Sequence, residues 1–151
     1  MTVRTSILGR ERLGAALRRT SGEVVGAAAR AVRAGAEDLR DTARDVLDEP
    51  GGGRPSAPGE PPHRQTGQLR DSVFVRTSDD GLTAEVGTDL DHGAHLEFGT
   101  QDTPARPWLL PAFEIAKPRI TKRIARALAD VRNRGSGIRA QRIARSSNTD
   151  S

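Results

Sequence analysis

Apolar residues in the first third of the chain recur at steps of three, four or seven positions. The series is Leu13, Leu17, Val24, Ala28, Val32, Leu39, Ala43 and Val46. Such spacing places these side chains on one side of an α-helix. Thr20-Ser21-Gly22-Glu23 has the form of a capping box, which starts a helix. We therefore predict a short helix over residues 8–18 and a long amphipathic helix over 21–48. Gly26 and Gly35 weaken that helix relative to alanine, a cost that is explained if another backbone must approach closely there.

The pattern changes to short extended segments after the long helix. Residues 50–65 are rich in proline and glycine, which predicts a long exposed loop that is either flexible or functional. Residues 72–77 and 82–86 predict two antiparallel strands joined by a turn. Residues 94–98 alternate between apolar and polar side chains and predict a third strand. The long helix can cover one face of such a sheet.

A second helix is predicted near the C-terminus. Prolines stiffen the backbone around Trp108, and apolar residues then recur at Ile120, Ile124, Leu128 and Val131. Pro118 should kink this helix or mark its first turn, and the glycines of 135–137 should end it.

The predicted fold is α+β, with a long N-terminal amphipathic helix packed on a small antiparallel sheet, an extended Pro/Gly loop, a C-terminal helix and a basic tail. We expect a single domain over 1–135, with a flexible loop at 50–65, and a basic polar tail over 136–151.

Composition narrows the function classes. The chain has 16 glycines, 9 prolines and only 3% aromatic residues, so we expect a marginally stable monomer that gains stability from neighbouring subunits. The absence of cysteine excludes disulfides, thiolate metal sites and cysteine nucleophiles. No apolar run reaches the length of a signal peptide or a membrane span, so we expect a protein made in the cytoplasm that contacts no membrane.

The sequence contains little that supports a catalytic or metal-binding function. His92, His95 and Glu97 are residue types that bind metals, but on a strand His92 would face away from the other two. No nucleophile elbow, phosphate-binding glycine loop or zinc-hydrolase spacing is present. We therefore predict a protein that is not an enzyme and that carries no cofactor or metal.

The net charge of +4 is concentrated in the last part of the chain, where residues 121–151 carry eight basic and two acidic groups. Arg123, Arg126, Arg139 and Arg142 belong to this region. A basic helix and tail can contact nucleic acid or an acidic protein neighbour. No helix-turn-helix, stacking platform or zinc finger accompanies the charge, so DNA binding is the alternative function rather than the favoured one.

Four ordered pieces of the chain carry a resemblance to a known family. They are the N-terminal amphipathic helix, the linker Ala57–Pro62 running into Thr66–Ser72, the segment Ala94–Thr100, and the segment Ala105–Ala112. Over roughly residues 8–131 the chain resembles the phage neck and tail-completion family typified by gene product 10 of Hong Kong 97-type phages.

The resemblance implies a structural virion protein of a tailed bacteriophage, assembled in the host cytoplasm and located in the neck or upper tail. It implies a hexameric ring that completes the tail and joins it to the head. Its partners would be the head-closure, tail-terminator or tail-tube rings, and the basic tail could reach packaged DNA. The interface candidates are Leu69, Arg70, Glu97, Phe98, Gly99, Trp108, Leu109, Arg123, Arg126, Arg139 and Arg142. For Trp108, packing within the subunit is the competing role.

Overall fold

The computed structural model describes the backbone of residues 22–146 and the side chains of residues 22–134. Its elements in chain order are α1 (Gly22–Val46), α2 (Gln68–Ser72), β1 (Phe74–Thr77), β2 (Ala84–Gly87), α3 (Asp91–Phe98) and α4 (Leu109–Ser146). The α+β class is confirmed. The short helix predicted over 8–18 lies outside the described residues.

The long helix α1 is confirmed within two residues of its predicted ends. Its buried side consists mostly of alanine, with Leu39 as the largest side chain. Gly35 lies on this side, and a Cβ there would be 3.0 Å from Ile120 of α4. The expected close approach is therefore present at Gly35, although a side chain makes it. At Gly26 the nearest atom is a terminal nitrogen of Arg30, one turn along the same helix.

The two predicted hairpin strands are also confirmed. β1 and β2 pair antiparallel, with Phe74 opposite Gly87 and Thr77 opposite Ala84. Asp80 stabilises the connecting turn, because its carboxylate accepts hydrogen bonds from the Ser78 hydroxyl and the Leu82 backbone N–H. The tip of the hairpin lies against the first half of α1.

The predicted third strand is wrong, because residues 94–98 belong to helix α3. Within the described residues the sheet has two strands. Gly93 and Glu97 are the buried positions of α3, and they are four residues apart, which is one helical turn. Asp91 in the first turn favours the helix through its charge. The alternation of polar and apolar residues in this segment therefore does not reflect burial.

The C-terminal helix differs from the prediction at both ends. α4 begins at Leu109, so Pro111 lies in its first turn, where no backbone N–H donor is needed. Pro118 lies inside the helix and is not its start. The glycines of 135–137 do not end it, because helical backbone continues to Ser146.

The core lies where α1 and α4 pack together, with the sheet and α2 closing one side. Its members are Ala36, Leu39, Ala43, Leu47, Leu69, Val73, Val86, Trp108, Leu109, Ala112 and Ala116. The predicted packing of α1 on the sheet is present, but α4 is its more extensive partner. Trp108 and Leu109 are the largest side chains that are fully buried.

The loop over residues 50–65 returns to its starting point and is held at several places. The Arg64 backbone N–H donates to the Glu49 carbonyl across its base at 2.8 Å. Gly59 donates to the Ala105 carbonyl, and the Arg106 guanidinium donates to the Ser56 carbonyl at 3.1 Å. The loop is mostly exposed, although Ser56 is buried. These contacts attach it to the segment that precedes α4.

Candidate assembly surface

Glu97 caps the N-terminus of α4. One oxygen of its carboxylate accepts hydrogen bonds from the backbone N–H groups of Trp108 and Leu109, both at 2.8 Å, and the other accepts from Leu110 at 3.0 Å. The first turn of a helix has N–H groups without intrahelical partners and a partial positive charge, so a carboxylate is favoured there. A single buried side chain of α3 therefore fixes the position at which α4 begins.

Trp108 makes a second connection between the same helices. Its indole N–H donates to the Gly93 carbonyl at 2.9 Å, and its side chain is only 1% exposed. Gly93 is itself packed so tightly that a Cβ would collide with Thr88 and would be 2.9 Å from Leu69. Trp108 therefore packs within its own subunit, which is the role that competes with docking on a partner. We call the junction formed by Gly93, Glu97 and residues 108–110 the α3–α4 corner.

Gly99 allows the chain to leave α3 toward this corner. Its φ of 73° and ψ of 176° form a conformation that is essentially restricted to glycine. A Cβ there would lie 2.8 Å from the Ala105 backbone nitrogen and 2.9 Å from the Thr103 carbonyl oxygen. The Arg106 N–H then donates to the Leu96 carbonyl at 2.7 Å. The residues between the two helices are therefore folded back tightly.

Apolar side chains are exposed at the α3–α4 corner. Phe98 directly follows Glu97 and is 63% exposed, and Leu110, which donates to Glu97, is 57% exposed. Exposed large apolar residues on a rigid backbone are typical of protein interfaces. We call these two residues the corner patch. Ile115, farther along α4, is a third exposed apolar residue at 53%.

α4 also carries an exposed basic face. Arg119, Lys122, Arg123 and Arg126 follow helical spacing and are all exposed. Arg119 pairs with Asp38 of α1 at 2.8 Å and donates to Thr42. The hydrogen bond from Arg119 holds the pKa of the Asp38 carboxyl below its usual value, and the same bond raises the pKa of Arg119. The basic face is thus tied to α1 at one end.

The remaining interface candidates fall into different places. Leu69 and Leu109 are buried in the core, so they can affect an interface only indirectly, by holding neighbouring exposed residues in place. Arg70 is half-buried, and its guanidinium lies near Asp48 and Asp71. Arg139 and Arg142 lie within α4, but their side chains are outside the described residues.

Sequence reasoning missed several residues of the corner. No local sequence pattern marks Leu110 or Gly93 as part of it. The helical form of α3 also changes the histidine geometry, because His92 and His95 both line one cavity while Glu97 bonds to α4. Among residues 22–134, no three His, Asp or Glu side chains lie close enough together to hold one metal ion.

The comparisons with known proteins give one match. A family model described as "Bacteriophage HK97-gp10, putative tail-component" matches residues 11–99. The match covers α1, α2, the hairpin and α3, and it ends at the glycine that leads to the corner. No curated protein and no solved structure matches the chain. None of the helices in the described part of the chain has the length and apolarity needed to span a bilayer.

Proposed function

Because the chain belongs to the HK97-gp10-like family of bacteriophage tail components, we propose that its copies form a hexameric ring in the neck or upper tail of the virion. The ring completes the tail and joins it to the head. In this role the protein is a structural part of the particle and has no enzymatic activity. Its neighbours are the head-closure, tail-terminator or tail-tube rings.

The α3–α4 corner is the observation that carries the ring proposal. Three backbone hydrogen bonds to Glu97 and one from the Trp108 indole to Gly93 fix the corner, and the corner patch is exposed on it. A rigid apolar surface loses little conformational entropy on docking, which favours a stable interface. The monomer itself has a core rich in alanine, so burying Phe98 and Leu110 in an interface adds stability that the single subunit lacks.

Native mass spectrometry of the full chain tests this proposal. The wild-type protein should give a closed oligomer, whereas Phe98→Asp and Leu110→Asp should shift it to monomers, because each change places a charge in the interface. Ile115→Asp is the matched control, since it alters an equally exposed apolar residue of α4 outside the corner. Monomers from the wild type, or oligomers that survive both corner substitutions, would contradict the proposal.

DNA contact is the second candidate, and the exposed basic face of α4 favours it. Lys122, Arg123 and Arg126 are all available at the surface. Phosphate binding by such residues weakens steeply with salt, because bound cations are released from the DNA. If the protein binds duplex DNA, replacing these three residues with glutamine should reduce both the affinity and its salt dependence. Failure of the intact protein to bind duplex at low salt would remove this function.

A further inference from the structure

A cavity of about 400 Å³ lies beneath the Pro/Gly loop, bordered by α2 and α3. Its lining contains no aspartate or glutamate but has three arginines and three histidines: Arg64, Arg70, Arg106, His63, His92 and His95. Arginine side chains are the usual donors to carboxylates in protein recognition. The cavity is therefore suited to an anionic group.

Several donors of this cavity lack acceptors of their own. Arg106 donates through Nε to the Ser56 carbonyl, and its two terminal nitrogens have no acceptor among the described residues. Ser56 also lines the cavity and is 4% exposed, and its buried hydroxyl has no hydrogen-bond partner among the described residues. A buried hydroxyl without a partner costs free energy, which a bound polar group would recover.

The internal acids do not balance these arginines. Asp48 lies 2.8 Å from Arg64 and 3.2 Å from Arg70, and Asp71 lies 2.9 Å from Arg70, so two carboxylates face three arginines and neither of them pairs with Arg106. The Arg70 Nε is buried and lacks the geometry of a hydrogen bond. The cavity therefore keeps an excess of positive charge that an incoming carboxylate can neutralise.

The same chain carries an exposed acidic group at its hairpin tip, Ser78–Gly81. Asp79 is exposed there and takes no part in the bonds that fold the turn, which Asp80 provides. A Cβ on Gly81 would meet Ala29 of α1, so the tip lies beside that residue. The turn is thus a preformed, acidic projection.

The tip and the cavity lie toward opposite ends of the molecule. The tip contacts α1 at Ala29, whereas the cavity is lined by Leu47, just beyond the other end of that helix. Eighteen residues of helix span about 27 Å, so the tip cannot reach the cavity of its own subunit. Complementary surfaces at opposite ends generate head-to-tail contacts, which close into a ring where the rotation between neighbouring copies allows it.

We propose that the hairpin tip of one copy inserts into the Arg/His cavity of the next copy, where the arginines pair with the carboxylate of Asp79. This inference rests on the proposed ring and names a contact within it. The occupant is a second copy of this chain, because the chain itself carries both the basic cavity and an acidic group that fits its charge.

Cross-linking between copies tests the contact, and the chain has no cysteine of its own to interfere. Thr77→Cys lies at the exposed end of β1 near the tip, and Gln65→Cys lies on the cavity lining. Treating the full-length double variant with a short bismaleimide should give a ladder of linked oligomers. The matched control pairs Thr77→Cys with Thr121→Cys, an exposed position of α4, and should give no ladder.

Charge reversal provides a second readout. Asp79→Lys should weaken self-association by about tenfold or more, because it places like charges together at the contact. Asp45→Lys makes the same change at an exposed position of α1 and should leave association unaltered. A protein that forms rings without the ladder, or whose self-association survives Asp79→Lys, overturns this inference and leaves the ring intact. A protein that stays monomeric at every concentration overturns the ring itself, and the inference with it.

Discussion

At the scale of single residues, Glu97 has the widest structural effect. Its carboxylate caps a helix that starts twelve residues later, at Leu109. It also accepts the backbone hydrogen bond of Leu110, which belongs to the corner patch. Replacing it removes acceptors from three backbone donors, two of which are buried. Those donors would then lack a partner where water has little access.

Glu97→Ala should lower the free energy of unfolding by about 1.5–3 kcal/mol, the usual range for hydrogen bonds to a charged group. Glu97→Gln should lower it less, since the amide oxygen still accepts bonds at the helix start. Urea denaturation of the purified variants measures both values. Equal stability of all three proteins would show that the cap does not stabilise the fold.

Trp108→Ala should destabilise the protein by about 3–5 kcal/mol, because it empties a large volume at the centre of the core. Trp108→Phe keeps much of that volume but removes the donor to the Gly93 carbonyl, so a smaller loss is expected. Thermal melting followed by circular dichroism distinguishes the two variants. An unchanged melting temperature for Trp108→Ala would be inconsistent with its burial.

At the scale of elements, local sequence patterns predict α1 and the hairpin but not the corner. The small residues of α1 follow helical spacing, and the turn at Ser78–Gly81 has the composition of a hairpin connection. α3 was missed because its polar and apolar residues alternate as in a strand, while its burial depends on contacts with Trp108. The start of α4 was missed because its cap, Glu97, is distant in sequence and no local pattern marks it.

The pair of α1 and α4 is held together partly by Asp38 and Arg119, and this contact predicts a pH dependence. The pKa of Asp38 is lowered in the folded state, so its contribution to stability is full above the unfolded pKa of about 3.9 and is lost as the pH falls through the folded pKa. Asp38→Asn should therefore be less stable than the wild type at pH 7, and the two proteins should converge as the pH falls through the folded pKa of Asp38.

Chemical denaturation across this pH range measures the difference between the two proteins. Asp45→Asn is the control, because it removes an exposed acid of α1 that is not paired with α4. A stability gap between Asp38→Asn and the wild type that persists unchanged at low pH would rule out the ion pair as its cause.

At the scale of the whole molecule, the last sixteen residues form a segment with a net positive charge. Residues 136–151 contain Arg139, Arg142 and Arg145 but only one acid, Asp150. Deleting them should leave the melting temperature nearly unchanged, because the buried core is formed by earlier residues. The same deletion should reduce the joining of heads to tails if the tail docks on a neighbouring ring.

Two sets of substitutions separate docking on protein from binding to DNA. If the tail docks on protein, changing Ile138 and Ile143 should impair joining, since these are its apolar anchors. If it binds DNA, changing only the three arginines should abolish duplex binding while the isoleucines matter little. Normally joined, infectious particles made with the truncated protein would exclude docking.

Electron microscopy of particles assembled without this protein tests the central claim most directly. The proposed ring completes the tail and joins it to the head, so its removal should leave DNA-filled heads and separate tails of normal tube structure. Supplying the wild-type chain should restore joined particles. Joined particles in its absence, or tails whose tubes are themselves defective, would contradict a role in completing and joining the tail.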